Sequence, residues 1–207
     1  MKIGELTVDG YRIEALGAAT WDAFADLAER HNGVWGGCWC LWFHLRPDPP
    51  ERKVLGNREF KRHLVEEDRA HAALVFDGDI AIAWAQYGPV AELPNIHHRK
   101  EWERGVVHVP DYRITCLFVD RRYRRNGMAS VAVRGALELI GAAGGGLVES
   151  YPHDIPEGKK MSSSFLYNAT RTMYEELGFD YQRPKGQGNC VMTKVVPATG
   201  GNGSRSG

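Results

Sequence analysis

Residues 113–142 constrain the fold more than any other part of the chain. Arg113-Ile114-Thr115-Cys116-Leu117-Phe118-Val119 is a largely apolar, β-branched run, which reads as a buried strand. A turn dense in arginine follows: Asp120-Arg121-Arg122-Tyr123-Arg124-Arg125-Asn126-Gly127. Beyond it Ala129, Ala132, Val133, Ala136, Leu137 and Ile140 recur at steps of three and four, an apolar face that continues until Gly144-Gly145-Gly146 ends the helix. A buried strand running straight into an amphipathic helix implies layered α/β packing, with the helix laid on a sheet.

The turn between them has a chemical consequence. A helix that starts near Gly127 leaves its first backbone N–H groups without intrahelical partners, and its dipole adds about half a positive charge there. Together these make an anion site. Gly127 removes a side chain that would block close approach, Ala129 keeps the first turn slim, and the arginines bring mobile charge and bidentate phosphate contacts. The segment lacks the Lys-Ser/Thr ending of a P-loop and the three glycines of a dinucleotide fingerprint. On these residues alone, a solvated basic turn before a core helix explains the pattern as well as a phosphate site does.

The remaining pattern is consistent with one mixed α/β domain over 1–196. Tyr11–Leu16 reads as a first strand, and Thr20 is placed to cap a helix carrying Trp21, Phe24, Leu27 and Ala28 that stops near Asn32-Gly33. Asn57 is placed to cap a second helix with Phe60, Leu64 and Val65 on one face. Residues 72–76 and 80–87 flank Asp77-Gly78-Asp79 as a hairpin, which Gly88-Pro89 should break. A short helix is expected within 91–105, a strand at Leu147–Tyr151, a polar loop at Pro152–Ser163, and a helix from Phe165 to Leu177 capped by Gly178. Strands around 179–183 and 190–196 close the domain, and the Gly/Ser-rich residues 197–207 read as a disordered tail.

Composition excludes several function classes. The 26 basic and 26 acidic residues cancel, so no net field draws the chain to nucleic acid or to an anionic membrane. No apolar run reaches the roughly 20 residues of a membrane span, and the first residues start no signal peptide, so a cytoplasmic location is expected. The four cysteines, Cys38, Cys40, Cys116 and Cys190, make no disulfide framework. Cys38-x-Cys40 with His31 and His44 departs from zinc spacing, so no metal is expected.

Two segments together carry a resemblance. Arg124-x-x-Gly127-x-Ala129 after a buried strand resembles the acyl-CoA signature, Gln/Arg-x-x-Gly-x-Gly/Ala, of the GCN5-related N-acetyltransferase (GNAT) family. Downstream, Met173-Tyr174-Glu175-Glu176-Leu177-Gly178-Phe179 resembles the end of that family's later helix. The likeness spans roughly residues 72–196, and Gly36-Gly37-Cys38-Trp39-Cys40 resembles a segment of an unassigned bacterial subgroup. It implies the GNAT fold, a central mixed sheet of six or seven strands flanked by helices.

It also implies acetyl-CoA as donor and a small-molecule or peptide amine as acceptor, joined by direct attack, with no metal and with a homodimer left open. Backbone groups of Leu117, Phe118 and Val119 would hold the pantetheine arm. Those of Arg124, Arg125, Asn126, Gly127, Met128, Ala129 and Ser130 would hold the pyrophosphate. Tyr174 matches the tyrosine that protonates the leaving thiolate, since a phenol is neutral at pH 7 and can donate. Asn168 lies one residue from the place of an asparagine that contacts pantetheine, a position that Tyr167 takes here. Glu149, at the end of a strand, is the first candidate for a base, with Glu92, His108, Asp111, His153 and water as others. Trp35, Trp39, Trp42 and Phe43 either line the acceptor side or form an aromatic core. The competing reading is a non-catalytic acyl-CoA-binding sensor or scaffold module, which would share the same loop.

Overall fold

The computed structural model describes residues 6–155 and 167–199. Eight strands form one sheet in the order β1-β2-β3-β4-β5-β6-β8-β7. They are β1 (Thr7–Val8), β2 (Tyr11–Ala15), β3 (His71–Asp77), β4 (Ile80–Pro89), β5 (Tyr112–Val119), β6 (Gly146–Ser150), β7 (Asp180–Lys185) and β8 (Asn189–Val196). The expected six or seven strands become eight because the two-residue β1 pairs with β2 at Thr7–Arg12 and Val8–Tyr11, too short a run to show an alternation. The sheet is mixed: β5 and β6 are parallel, and every other neighbouring pair is antiparallel.

Helices cover both faces. α4 (Met128–Ala142) packs its apolar face on one side, where Val133, Ala136 and Ile140 join Ile13, Val75, Ile82 and Ile114 in a core. α5 (Arg171–Glu176) adds Tyr174 to the same core. On the other face α1 (Trp21–Glu29) and α2 (Pro50–Glu66) bury Phe24, Leu27, Phe60 and Leu64 against Leu74, Trp84 and Phe118. Successive residues of β3 divide between the two cores, Ala73 and Val75 to one, Leu74 and Phe76 to the other. This is why the strand reads as a continuous apolar run. A smaller cluster, Ile96, Trp102, Tyr151 and Val191, lies where α3 (Arg99–Gly105) meets the sheet.

Several local expectations are corrected. Thr20 stands at the N-cap of α1, but its hydroxyl donates to Ala15 O at 2.8 Å and accepts from the Gly17 N–H, so it ties the turn to β2 rather than capping the helix. α2 begins at Pro50 and kinks at Gly56 (φ 76°, ψ 168°). Asn57 donates to Gly37 O at 2.7 Å and so anchors the 33–41 loop instead of capping. β4 continues through Gly88-Pro89, which pair with Arg113 and Tyr112.

The helix expected from Phe165 begins only at Arg171. Thr170 is its N-cap, accepting from the Met173 N–H, and Ala169 has a positive φ of 54° that helix cannot contain. Residues 165–166, and 156–163 of the expected loop, lie outside the described residues, as do 200–207 of the expected tail. Thr199, also expected in that tail, is held by its N–H to Gly141 O at 2.9 Å.

The topology places one feature that matters for chemistry. β5 is eight residues long, yet it pairs with β6 only through Tyr112, Arg113 and Ile114. Beyond Ile114 and Ser150 the two strands part. The edge of β5 from Cys116 to Val119 then faces a gap rather than a neighbouring strand.

Candidate functional site

A cleft of about 970 Å³ runs from this gap to the start of α4, at the upper end of the roughly 300–1,000 Å³ typical of small-molecule sites. One wall is β5 with Leu117, Phe118 and Val119. The other is the basic turn and the first turn of α4, with Arg124, Arg125, Gly127, Met128, Ala129 and Ser130. Ala169, Thr170 and Met173 close the base, and Trp35 reaches in from the 33–41 loop.

The end of the cleft at α4 is built by backbone conformation. Arg125 (φ 65°) and Gly127 (φ 76°) both take positive φ, turning the chain sharply into α4. The Val131 N–H is the first to find a carbonyl in the helix, Gly127 O at 3.1 Å, so the Met128, Ala129 and Ser130 N–H groups point out of its N-terminus. A methyl group added at Gly127 would touch nothing within 4 Å, so the glycine is required by its φ and not by crowding from the protein. Among the described residues Arg121 and Arg125 form no ion pair, and both line the cleft.

Asp120 organises this turn, a role sequence reading missed. Its buried carboxylate accepts from the Arg122 N–H at 3.0 Å and from the Arg122 guanidinium at 2.9 and 3.2 Å. Arg30 and His31 stand 3.6 and 3.5 Å away from the second oxygen. The hydrogen bonds from Arg122, opposed by burial, hold the Asp120 carboxyl well below the usual carboxylate range. Arg122 is thereby neutralised while its neighbours stay directed at the cleft. An aspartate at a strand end, two residues before an exposed arginine, is the signature of such a cap and was available in the sequence.

The strand edge is satisfied internally. The Asp120 N–H donates inward to Ile82 O on β4, so by alternation Leu117 and Val119 face the gap. There the Leu117 N–H donates to Tyr167 O at 2.7 Å, and Val119 O accepts from Arg124 Nε at 3.3 Å.

The remaining sequence candidates fall into different surroundings. Asn126 lies on a neighbouring recess with Asp9, Tyr11 and Arg134 rather than on the cleft wall. Asn168 is buried outside any helix and donates to Tyr151 O at 3.2 Å. Tyr174 follows the cleft-lining Met173 but turns into the core, fully buried and edge-on to Phe179 at 4.9 Å. α5 is only six residues long, and Tyr174 occupies its inner face. The Ser150 hydroxyl lies beside its own without regular hydrogen-bond geometry, and burial raises its pKa, so it stays protonated.

Glu149 is 2% exposed and takes hydrogen bonds from Trp102 Nε1 at 2.5 Å and from the Tyr151 hydroxyl. Burial raises its pKa against those two bonds and the positive field of Arg113. It faces the third cluster, not the cleft. Of the other base candidates, Glu92 pairs with His71 at 3.2 Å, His153 backs Tyr167 edge-on at 5.7 Å, and Asp111 takes the Leu147 N–H at 2.7 Å.

Trp39 and Phe43 of the aromatic segment belong to the core, with Trp39 stacked on Trp21 at 6.2 Å. Trp35 lines the cleft, and Trp42, edge-on to Phe43, stacks on His97 at 4.0 Å, so Trp35, Phe43, Trp42 and His97 form a ring cluster around Tyr167. His31 and His44 are engaged elsewhere, by Asp120 and Lys61, and among the described residues no group of three or more His, Cys, Asp or Glu is gathered to hold a metal. No helix of the described residues is long and apolar enough to cross a membrane.

Behind the ring cluster lies a second arrangement that local pattern could not reveal. Lys61, 1% exposed, donates to Gln86 Oε1 at 3.0 Å and lies 3.2 Å from His44 Nε2. Gln86 in turn donates to Thr115 at 3.1 Å, and His44 Nδ1 meets Glu92 O at 3.0 Å. That last contact requires Nδ1 to carry the proton, leaving Nε2 to accept from Lys61. Burial lowers the Lys61 pKa to about 8.

Comparison with known proteins bears on the fold. The sequence matches no protein-family model, and no curated protein matches it. Solved structures do. An acetyltransferase of the GNAT family from Streptococcus agalactiae 2603 superposes with a TM-score of 0.51 at 13% identity, covering 92% of this chain and 98% of that one. The ribosomal-protein-S5-alanine acetyltransferase of Vibrio fischeri gives 0.49 at 12% identity, with 92% and 96% covered. The PaiA N-acetyltransferase of Thermoplasma acidophilum, solved in complex with coenzyme A, gives 0.47 at 13% identity, with 88% and 98% covered. The first of these, with the parted β5 and β6 and the helices on both faces, carries the conclusion: this chain has the fold of the GNAT acetyltransferases.

Proposed function

We propose that the protein transfers an acetyl group from acetyl-CoA to a primary amine. The observation that carries this reading is the meeting, across one cleft, of a strand edge with no neighbouring strand and an arginine-flanked helix N-terminus. The first suits the amides of a pantetheine arm, and the second suits a pyrophosphate. Met128, Ala129 and Ser130 N–H groups, with Arg121 and Arg125, bind the phosphates. Leu117 and Val119 align the arm so that the thioester lies toward the ring cluster.

The chemistry then needs little from the protein. A neutral amine attacks the thioester carbonyl, the tetrahedral intermediate collapses, and the C–S bond breaks as the thiolate leaves. Positioning does most of the work. Tyr174, held neutral by burial beside the cleft-lining Met173, is the proposed proton donor to the thiolate, a role for which its hydroxyl must turn from the core toward the cleft. Glu149 is engaged by Trp102 and Tyr151, so we assign the proton of the incoming amine to solvent.

Thiol release from acetyl-CoA across a panel of primary amines tests the reading, alongside calorimetry with CoA, ATP and NAD. Turnover with at least one amine and preference for CoA are expected. Preference for ATP or NAD removes the acyl-CoA assignment. CoA binding with no turnover on any amine leaves the sensor or scaffold module in its place.

A further inference from the structure

The Leu117 N–H sits where the acyl-CoA reading needs a free strand edge, yet the protein fills it with its own chain. Tyr167 O takes that N–H at 2.7 Å, shorter than most backbone hydrogen bonds. The Tyr167 ring is held as firmly as its carbonyl. It lies edge-on to Trp35 at 6.0 Å and to His153 at 5.7 Å, and tilted against His97 at 6.0 Å and Phe43 at 6.4 Å. Four rings on separate segments thus make a box around one phenol. Trp35, one ring of the box, and Leu117, whose N–H the Tyr167 carbonyl takes, both line the cleft, so the box borders its inner end.

The backbone just beyond is strained. Ala169, two residues on, sits at φ 54°, in the left-handed region that favours glycine. Ala169 and Thr170 line the cleft, and Thr170 then caps α5. The box and the Leu117 contact therefore hold a segment that its own backbone would relax if released.

We infer that Tyr167 is a built-in plug of the acyl end of the cleft, and that it must leave the ring box and surrender the Leu117 N–H before the pantetheine arm of an acyl-CoA can align on β5. This rests on the acyl-CoA reading above. The plug sets a conformational cost that only the arm encounters. The adenosine and phosphate end binds at the α4 terminus, away from Tyr167, and does not meet it. Apparent affinity for the whole cofactor is then reduced by the fraction of molecules that are open.

The experiment compares CoA with adenosine 3′,5′-bisphosphate, which keeps the 3′-phosphate and the adenosine-side phosphate of the pyrophosphate and lacks the arm, on the full chain by calorimetry. Tyr167→Ala removes the ring that anchors the plug and should tighten CoA by about fivefold or more while leaving the bisphosphate unchanged. Tyr167→Phe keeps the ring and should match the wild type for both ligands. A second measurement uses unmodified protein. Nuclear Overhauser contacts between the Tyr167 ring and Trp35 should vanish on adding CoA and persist on adding the bisphosphate. Weaker or equal CoA binding by a folded Tyr167→Ala overturns the plug, as do ring contacts that survive saturation with CoA. Failure of both ligands to bind wild type and variant alike overturns the acyl-CoA reading itself, and the plug with it.

Discussion

Replacing Asp120 by asparagine tests whether the basic turn is preorganised by one buried charge. The carboxylate accepts three hydrogen bonds from Arg122 and faces Arg30 and His31 within 3.6 Å. Asparagine retains one oxygen for the Arg122 N–H but brings an N–H₂ group toward Arg30 and loses the charge. Breaking a buried pair costs about 3–5 kcal/mol, and an exposed pair is worth about 1 or less. The Arg122 side chain is 63% exposed while Asp120 is 3%, so the loss belongs between these limits, at about 2 kcal/mol. For a domain of this size that is a Tm fall of about 4–8 °C.

The same substitution should loosen the turn and weaken adenosine 3′,5′-bisphosphate about tenfold, read by calorimetry. Acid should erase the stability difference, and the sign is fixed by the direction of the shift. The folded pKa lies below the unfolded value, so Asp120 stabilises fully above about pH 4 and loses its contribution as pH falls toward the folded value. A variant with wild-type Tm and wild-type bisphosphate affinity at pH 7 would refute the preorganisation argument.

Three further predictions follow from single positions. Gly127→Ala meets no clash but forces alanine to φ 76°, so it should cost about 1–2 kcal/mol and weaken CoA, while Gly127→Asn should recover part of both; equal behaviour of the two would count against a conformational role. Lys61, at about pKa 8 when folded against 10.5 when free, carries a penalty below pH 8 that is relieved as pH rises toward 10.5. Urea midpoints of wild type should therefore rise relative to Lys61→Met across that window, and parallel profiles would remove the buried ammonium. Tyr174→Phe should lower kcat about a hundredfold at neutral pH with CoA affinity unchanged, and an unchanged kcat would take Tyr174 out of the donor role.

What could be read in advance follows from how local each feature is. The cleft wall proposed to hold the cofactor is one continuous segment, Leu117 to Ser130, and its physics is that of a strand, a positive-φ turn and a helix terminus, all visible in residue order. The hairpin between β3 and β4 and the face of α4 were legible for the same reason. The helix at 165–177 was not, because apolar spacing continues through Leu166 and Ala169 while Ala169 itself turns left-handed, a choice set by contacts with His153 and Leu117. The Lys61 network draws its members from α2, β4, β5 and the 42–44 turn. No periodicity links those positions, and a lysine at 61 reads as solvated until the sheet is laid beneath it. Glu149 was singled out for its place at the end of β6, which the structure reproduces; its enclosure by Trp102 depends on α3, a segment with little pattern of its own.

The two walls of the cleft also differ in what they contribute to binding. A buried backbone N–H cannot be left without a partner, so a sheet that parts to receive a ligand must satisfy the parted edge while the ligand is absent. Here Tyr167 O does this for the Leu117 N–H, and Arg124 Nε does it for Val119 O. An arriving amide therefore exchanges one hydrogen bond for another at β5, an exchange close to neutral in itself, and must in addition displace the Tyr167 ring from its box. The helix terminus is different, since on the proposed reading its N–H groups, with Arg121 and Arg125, which form no ion pair among the described residues, would exchange only water for phosphate. It follows that the phosphate end should dominate affinity and its dependence on salt. The β5 edge should instead set the register that brings the thioester to the ring box, and with it the rate.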